Sequence, residues 1–383
     1  MTDWAVPLTD VRISEDDVAA VMDCLRSGWL TMGPRTADFE AAFAAYAGAR
    51  HAVAVSSGTA ALQLAAVAAG LGPGDEVIVP SLTFVASASA ARFVGAEPVF
   101  CEVAGGGDLN LDPADVQARI TPRTRAVMAV HFCGYPADVL ALGELCDEHG
   151  LVLIEDCAQA IGATIAGGRP VGTVGAMGCF SLFSKKQLCV GEGGVVITDD
   201  DALAARVRSL RSHAMTSVTW DRHRGHADSY DIVDIGFNYR IDEPRAALGR
   251  SRLRRLDDDL ARRRESVRSY RSRLAGVEGI ELAWSDELVE LASHFAFPVL
   301  LADRAARDRF RTALAQRGVQ TTWYPAVHRF SDYAQRDPAL SLPRAEEAAD
   351  RHCALPLSSS MAVEDIEVVV AAVEDAVRAS VVR

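Results

Sequence analysis

Cys179-Phe180-Ser181-Leu182-Phe183-Ser184-Lys185-Lys186-Gln187-Leu188-Cys189-Val190-Gly191-Glu192-Gly193-Gly194, running on into Val195-Val196-Ile197, is the stretch from which the rest of the chain can be read. Two short β-type runs enclose a polar turn. Lys186 stands five residues before a glycine-rich turn that only unhindered backbone can make. A lysine held at a cleft edge in this way is a natural carbonyl-capturing group. From these residues alone, a surface turn with two solvated lysines reads equally well.

At 383 residues and 49% hydrophobic content the chain can bury a large core, and its length suggests two or three domains. A net charge of −13 argues against nucleic acid or an acidic membrane surface as a partner, since phosphate recognition needs a basic face. The arginine-rich run from Arg252 to Arg264 carries Asp257, Asp258 and Asp259 in its middle and reads as one solvated helix face. No apolar run reaches the ~18 residues of a membrane span, and Met1-Thr2-Asp3-Trp4 does not open a secretory signal, so a cytoplasmic protein is expected. The eight cysteines include no Cys-x2-Cys pair, so neither a metal site nor a disulfide framework is signalled.

Working outward, Ala52-Val53-Ala54-Val55 is a buried-strand run. It feeds Ser56-Ser57-Gly58-Thr59-Ala60 and a helical pattern at Leu62, Ala65, Ala66 and Ala69. Unpaired N–H groups at such a helix start, backed by the helix dipole, suit a phosphate, although an ordinary capped start has the same sequence. Val77 to Pro80 is the next strand, with Ser81-Leu82-Thr83-Phe84-Val85-Ala86 opening the following helix. Strand and helix signals continue to alternate, which predicts a mainly parallel sheet covered on both faces, with any ligand beyond the carboxyl ends of the strands. Leu151-Val152-Leu153-Ile154-Glu155-Asp156 ends an apolar strand in an acid that needs a cationic partner, unless it serves as a helix cap. His131 also falls at a strand end, as a site neighbour or a satisfied core histidine.

The polar stretch from His213 to Asp234 is too long for a mere connection, and His213, Trp220, His223 and His226 in it are substrate-side candidates. Asp242 to Leu274 reads as one long helix or two. Beyond it, strands near 279–282, 295–301 and 320–324 and helices at 304–317 and 363–378 suggest an α+β unit. The expected division is a large domain of residues 1–250, with its N-terminal helix and loop, and a linking helix plus small domain of residues 251–383.

Ser181-x4-Lys186-x4-Gly191-Glu192-Gly193-Gly194, together with Ser-Ser-Gly-Thr-Ala-Ala-Leu at 56–62, Glu-Asp-x-Ala-Gln-Ala at 155–160 and Gly-Phe-Asn-Tyr-Arg at 236–240, resembles the DegT/StrS-type sugar aminotransferases. These are pyridoxal-phosphate enzymes of the aspartate-aminotransferase fold, fold type I. The resemblance runs from about Val6 to about Val377 with its motifs in family order. It implies an α/β fold whose large domain has a mainly parallel central sheet flanked by helices, followed by a smaller C-terminal α+β domain. It makes Lys186 the Schiff-base lysine and Asp156 the partner of the ring nitrogen. Gly58, Thr59, Ala60 and Ser181 become cofactor contacts, the first three as phosphate donors. Phe84 is placed against the cofactor ring and Gln159 at its hydroxyl or face. Asn238 reaches the phosphate of a neighbouring subunit's cofactor, which implies a homodimer with shared sites. Trp29, Thr31, Arg240, Tyr324 and His328 become substrate-side candidates.

What the resemblance implies about activity is transfer of an amino group from an amino acid, L-glutamate or L-glutamine, to a nucleotide-linked keto sugar. Phe183-Ser184-Lys185 departs from a run that contains proline in many members, and Cys133 replaces a bulkier residue, so a keto-cyclitol acceptor stays open. Relatives that eliminate a hydroxyl carry histidine at the position of Lys186. A sensor of the same fold without turnover is a reading of another class; the intact Lys186, Asp156 and Ser181 argue against it.

Overall fold

In the computed structural model, which describes residues 4–217, 220, 223–225 and 229–381, the apolar runs lie side by side in one seven-stranded sheet. Its strands are β1 (His51–Val55), β2 (Glu76–Pro80), β3 (Glu97–Cys101), β6 (Thr124–Val130), β7 (Val152–Asp156), β8 (Met177–Ser181) and β9 (Gly194–Thr198). Their order is β1-β9-β8-β7-β6-β2-β3, with only β9 antiparallel to its neighbours. A short antiparallel pair, β4 (Val103–Gly105) and β5 (Asp108–Leu111), stands apart. The sheet is mixed and mostly parallel, as the alternating signals predict. Its strands are apolar on both sides because one core packs against each face.

One consequence of this order places the site. β1, β8, β7 and β6 end at the same edge of the sheet, and β9 begins there, with Ser181 opposite Gly194 and Gly194 opposite Val55. The whole Lys186 segment is therefore the excursion between two adjacent antiparallel strands, held over the carboxyl edge. Helix α1 (Glu15–Ser27) starts at Ser14 in a capping box with Asp17 and stops at Gly28, in the left-handed region. Helix α2 (Pro34–Ala47) follows, α3 (Gly58–Ala68) leaves β1, and α4 (Ala86–Phe93) follows β2. Helices α5 (Pro113–Arg119), α6 (Val139–His149) and α7 (Asp201–Leu210) complete this part of the chain.

The Asp242–Leu274 pattern is two helices, α8 (Glu243–Leu253) and α9 (Leu256–Leu274). A second sheet has the order β10-β11-β12, built from β10 (Glu281–Leu282), β11 (Phe297–Leu300) and β12 (His352–Leu355). Here the structure corrects one expectation. Residues 320–324 are not a strand of this sheet; the position beside β11 belongs to His352–Leu355, and Thr322 only bridges to Ala354. Helices α10 (Asp286–Leu291), α11 (Arg304–Gln316), α12 (Ser331–Arg336), α13 (Pro343–Arg351) and α14 (Val363–Val381) surround the sheet. The chain start packs with this C-terminal part: Val6 bridges to Val319, and Leu357 N–H donates to the Leu8 carbonyl. Among the described residues no helix is long and apolar enough to cross a membrane.

Candidate active site

A cavity of ≈ 400 Å³ opens over the carboxyl edge of the large sheet, and both halves of the chain line it. Gly58, Thr59, Phe84, Asp156, Gln159, Ser181, Lys186 and Tyr324, all singled out in the sequence, are among its lining residues. Segments about 350 residues apart in the chain meet here, since Leu8 and Leu357 both line the cavity.

The anion cradle is local in origin. Ser57 caps α3, its hydroxyl accepting from Ala60 N–H at 3.0 Å and its carbonyl from Ala61 N–H. Ala60 is thus not a free donor, which corrects the sequence expectation: the cap takes its N–H. Gly58 and Thr59 N–H, in the first turn, have no acceptor among the described residues. Gly58 must be glycine, since a Cβ there would lie 2.8 Å from Ser181 Cβ. That close approach brings the end of β8, with the Ser181 hydroxyl, against the helix start.

Asp156, at the end of β7, is 5% exposed. Its Oδ1 accepts from Ala158 N–H at 3.0 Å and its Oδ2 from the Ser87 hydroxyl at 2.7 Å. No cationic side chain bonds to it among the described residues. Burial therefore raises its pKa above the ordinary value, against the pull of the Ser87 and Ala158 bonds. Lys186 faces the same cavity. Its pKa is lowered to about 8, because burial disfavours the ammonium more than Asp156 and Cys133 favour it.

Gln159 is buried, and its side-chain carbonyl accepts from Cys133 N–H at 2.6 Å. Its backbone carbonyl accepts from the Gln187 amide at 2.8 Å, and the same amide reaches the Ser293 hydroxyl at 3.0 Å. The Cys133 carbonyl in turn accepts from Phe295 N–H at 2.9 Å. Cys133 takes a left-handed backbone, φ 55°, to make these contacts. The residue after Lys186 thereby ties the lysine loop to the segment that carries Phe295. Phe84 precedes α4 and is 62% exposed, so it is not a core residue of that helix and presents its ring to the cavity. Tyr324 lies parallel to His352 at 5.9 Å and packs edge-on against Phe132.

Other candidates lie elsewhere. His328 is buried outside the cavity, its Nδ1 at 2.5 Å from the Ser81 hydroxyl and its Nε2 at 3.1 Å from Glu346. Both of its ring nitrogens are engaged, and it does not line the cavity of its own chain. Trp29 packs against Trp220 and His223, at 4.7 and 4.6 Å between ring centroids, and does not line its own chain's cavity; nor does exposed Thr31. His213 is likewise not a lining residue, and His226 lies outside the described residues. Asn238 is exposed away from the cavity, and Arg240 makes no ion pair among the described residues; burial and the nearby Arg211 lower its pKa. His131 is fully buried, with Nε2 at 3.1 Å from Glu155 and Nδ1 accepting from Ala137 N–H. His131, Glu155 and Cys157 lie close enough to hold a metal ion, but Glu155 already accepts from Gly172, Val174 and Gly175 N–H. Ser87, Gln187 and Phe295 went unnoticed in the sequence. The Thr83-x3-Ser87 spacing, one turn apart at the edge of α4, was the one local signal.

A lysine short of solvent and an acid short of a cation face one cavity beside open N–H donors. A coenzyme that brings an aldehyde, a ring nitrogen and a phosphate answers all of these, and the class so defined is that of pyridoxal-phosphate-dependent aminotransferases. Residues 11–374 match the DegT/DnrJ/EryC1/StrS aminotransferase family, and the chain belongs to it. It is 35% identical to the spore coat polysaccharide biosynthesis protein SpsC of Bacillus subtilis (strain 168), over 98% of this chain and 97% of that one. Among solved structures it is similar to S. venezuelae DesV in complex with a ketimine intermediate, at 39% identity and TM-score 0.88, covering 97% of this chain and 98% of that one. It is also similar to Bacillus subtilis NtdA with bound cofactor PMP, at 27% identity and TM-score 0.85, covering 96% and 83%. The chain is a sugar aminotransferase, and its cofactor is pyridoxal 5'-phosphate.

Proposed function

We propose that the protein moves the amino group of L-glutamate or L-glutamine to a nucleotide-linked keto sugar. The observation that supports this reading is the convergence of Lys186, Asp156 and the free N–H groups of Gly58 and Thr59 on one cavity. When bound, pyridoxal phosphate supplies an aldehyde that carries nitrogen and a ring that accepts an electron pair. Gly58, Thr59 and Ser181 hold the phosphate, Phe84 covers one ring face, and Gln159 meets the ring hydroxyl or face. Asp156 pairs with the ring nitrogen, the cation its burial calls for. Lys186 bears the cofactor. Its Nζ would be the group placed to take and return the proton at the donor's α-carbon, and the lowered pKa of about 8 in the unloaded chain suits an amine for proton transfer near neutral pH.

Residues 1–250 form the cofactor-holding domain in this reading and residues 251–383 the second domain. The protein works as a cytoplasmic homodimer. Exposed Asn238, remote from its own cavity, serves the phosphate bound by the other copy, and Arg240, without an ion pair, clamps the donor's carboxylate. Tyr324 contacts substrate from the second domain.

The test has two halves. Adding L-glutamate to the purified yellow enzyme converts its spectrum to that of the pyridoxamine form; an unchanged spectrum with any amino donor overturns the reading. The pyridoxamine form is then offered keto-sugar nucleotides and keto-cyclitols, and amination of a keto-cyclitol alone would reassign the acceptor.

A further inference from the structure

We propose that Ser87 is a positioning residue for Asp156, aiming and holding the carboxylate through a hydroxyl relay that begins at Thr83. The proposal rests on the reading that Asp156 serves the cofactor's ring nitrogen. Ser87 is fully buried and does not line the cavity, so it touches neither cofactor nor substrate and acts from behind the acid.

Three acceptors lie within reach of its hydroxyl: Asp156 Oδ2 at 2.7 Å, Thr83 Oγ1 at 2.9 Å and the Phe84 carbonyl at 3.3 Å. The hydroxyl has one proton, and a carboxylate is the strongest of these acceptors. Ser87 therefore donates to Asp156 and accepts from Thr83, itself 3% exposed. With Ala158 N–H on Oδ1 and Ser87 on Oδ2, rotation of the carboxylate breaks at least one bond, so the plane is fixed from both oxygens. Each oxygen keeps a lone pair for a ring N–H.

The relay also couples two functions. Thr83 and Phe84 lead into α4 and Ser87 lies in its first turn, so the segment that presents the Phe84 ring also sets the direction of the acid. The bond has an electrostatic effect of the same sense. Burial pushes the Asp156 pKa up, and the Ser87 bond is the largest opposing influence, ahead of Ala158 N–H, Lys186 and His131. Other titratable groups around Asp156 are its strand neighbour Glu155, whose pKa is lowered, and the thiols of Cys157 and Cys179, both pushed well above their usual range by burial. The Ser87 bond thus favours the ionised form, against the effect of burial.

The experiment compares wild type, Ser87→Ala, Ser87→Thr, Asp156→Asn and the Ser87→Ala/Asp156→Asn double variant. Three quantities are read: the Asp156 carboxyl titration by NMR in the unloaded protein, the pH profile of the glutamate half-reaction, and its kcat. Ser87→Ala is expected to move the carboxyl titration and the acid limb of the profile to higher pH. It should lower kcat by about 10- to 100-fold, the usual effect of removing a hydrogen bond to a charge, with the KM for glutamate little changed. Ser87→Thr, which keeps the hydroxyl, restores all three, and Ser87→Ala adds nothing on top of Asp156→Asn. A Ser87→Ala protein with the wild-type carboxyl titration, or one whose full defect persists beside Asp156→Asn, overturns the proposal. If Ser87→Ala does not fold, Thr83→Val must give a smaller shift of the same sign, and no shift overturns it. Should no amino donor convert the wild-type enzyme, the functional reading fails while the carboxyl titration still decides the relay.

Discussion

Lys186 Nζ lies 4.2 Å from the centroid of the Phe295 ring, so a residue from the C-terminal half forms one wall of the amine's surroundings. The ring and the depth of the cavity withhold water from the ammonium. This lowers the pKa from 10.5 to about 8 and makes the lysine a source of instability in the unloaded protein. The folded value lies below the unfolded one, so the unfolded chain binds more protons between them. Stability from this group rises with pH across that window, and the penalty is complete below it. Unloaded Lys186→Met is therefore expected to melt above wild type near neutral pH, with the difference closing as the pH approaches 10.5. Thermal melts of both apoproteins over that range are the check, and a constant difference would refute the linkage.

Two adjacent lysines invite confusion about which bears the cofactor. Lys186→Ala should lose the borohydride-reducible link and slow the half-reaction by roughly 10²- to 10⁴-fold, the range for a lost general base. Exposed Lys185→Ala should keep the link. Mass spectrometry of the reduced protein distinguishes them, and the reverse pattern would shift the register by one residue.

Gly58 has Ser181 pressed against it. In Gly58→Ala the added methyl would stand 2.8 Å from Ser181 Cβ, so the first turn of α3 must move. A strain of about 1–3 kcal/mol is expected from such overpacking, part of it appearing as weaker pyridoxal-phosphate binding. Cofactor titration beside a melting curve separates the two contributions.

His328 joins Ser81 at the end of β2 to Glu346 on α13. His328→Ala leaves buried polar groups unpaired and should cost about 1–3 kcal/mol of stability, while the rate of the glutamate half-reaction stays near wild type. A large loss of rate in folded His328→Ala would return this residue to the site.

If Asn238 serves the other copy's phosphate, mixing inactive Lys186→Ala and Asn238→Asp chains should restore activity. Random pairing leaves half of the dimers mixed, each with one intact site, so about a quarter of wild-type activity is expected after refolding together. No recovery would mean that each chain completes its own site.

The lysine turn, the acid ending β7 and the glycine after Ser57 were legible because each is a local event. A strand ends, a turn begins, and the residue at that point faces the carboxyl edge whatever the rest of the chain does. Ala60 was misread for a reason that is also local, since the Ser57 cap competes with a ligand for the same N–H. His328 and Trp29 were harder to place for a different reason. Their surroundings come from Glu346 and from Trp220, partners too distant in sequence for any pattern to announce.

From the chain's order of residues alone came the strand ends, the helix caps and the identity of the groups that carry the chemistry, because those follow from backbone sterics and side-chain type within a few positions. The folded arrangement alone decided which of them share a cavity, which segment pairs beside β11, and how far water is kept from Lys186 and Asp156. Those properties are set by Phe295, Ser87 and Leu357, whose positions depend on long-range packing and appear only once the two sheets have closed on each other.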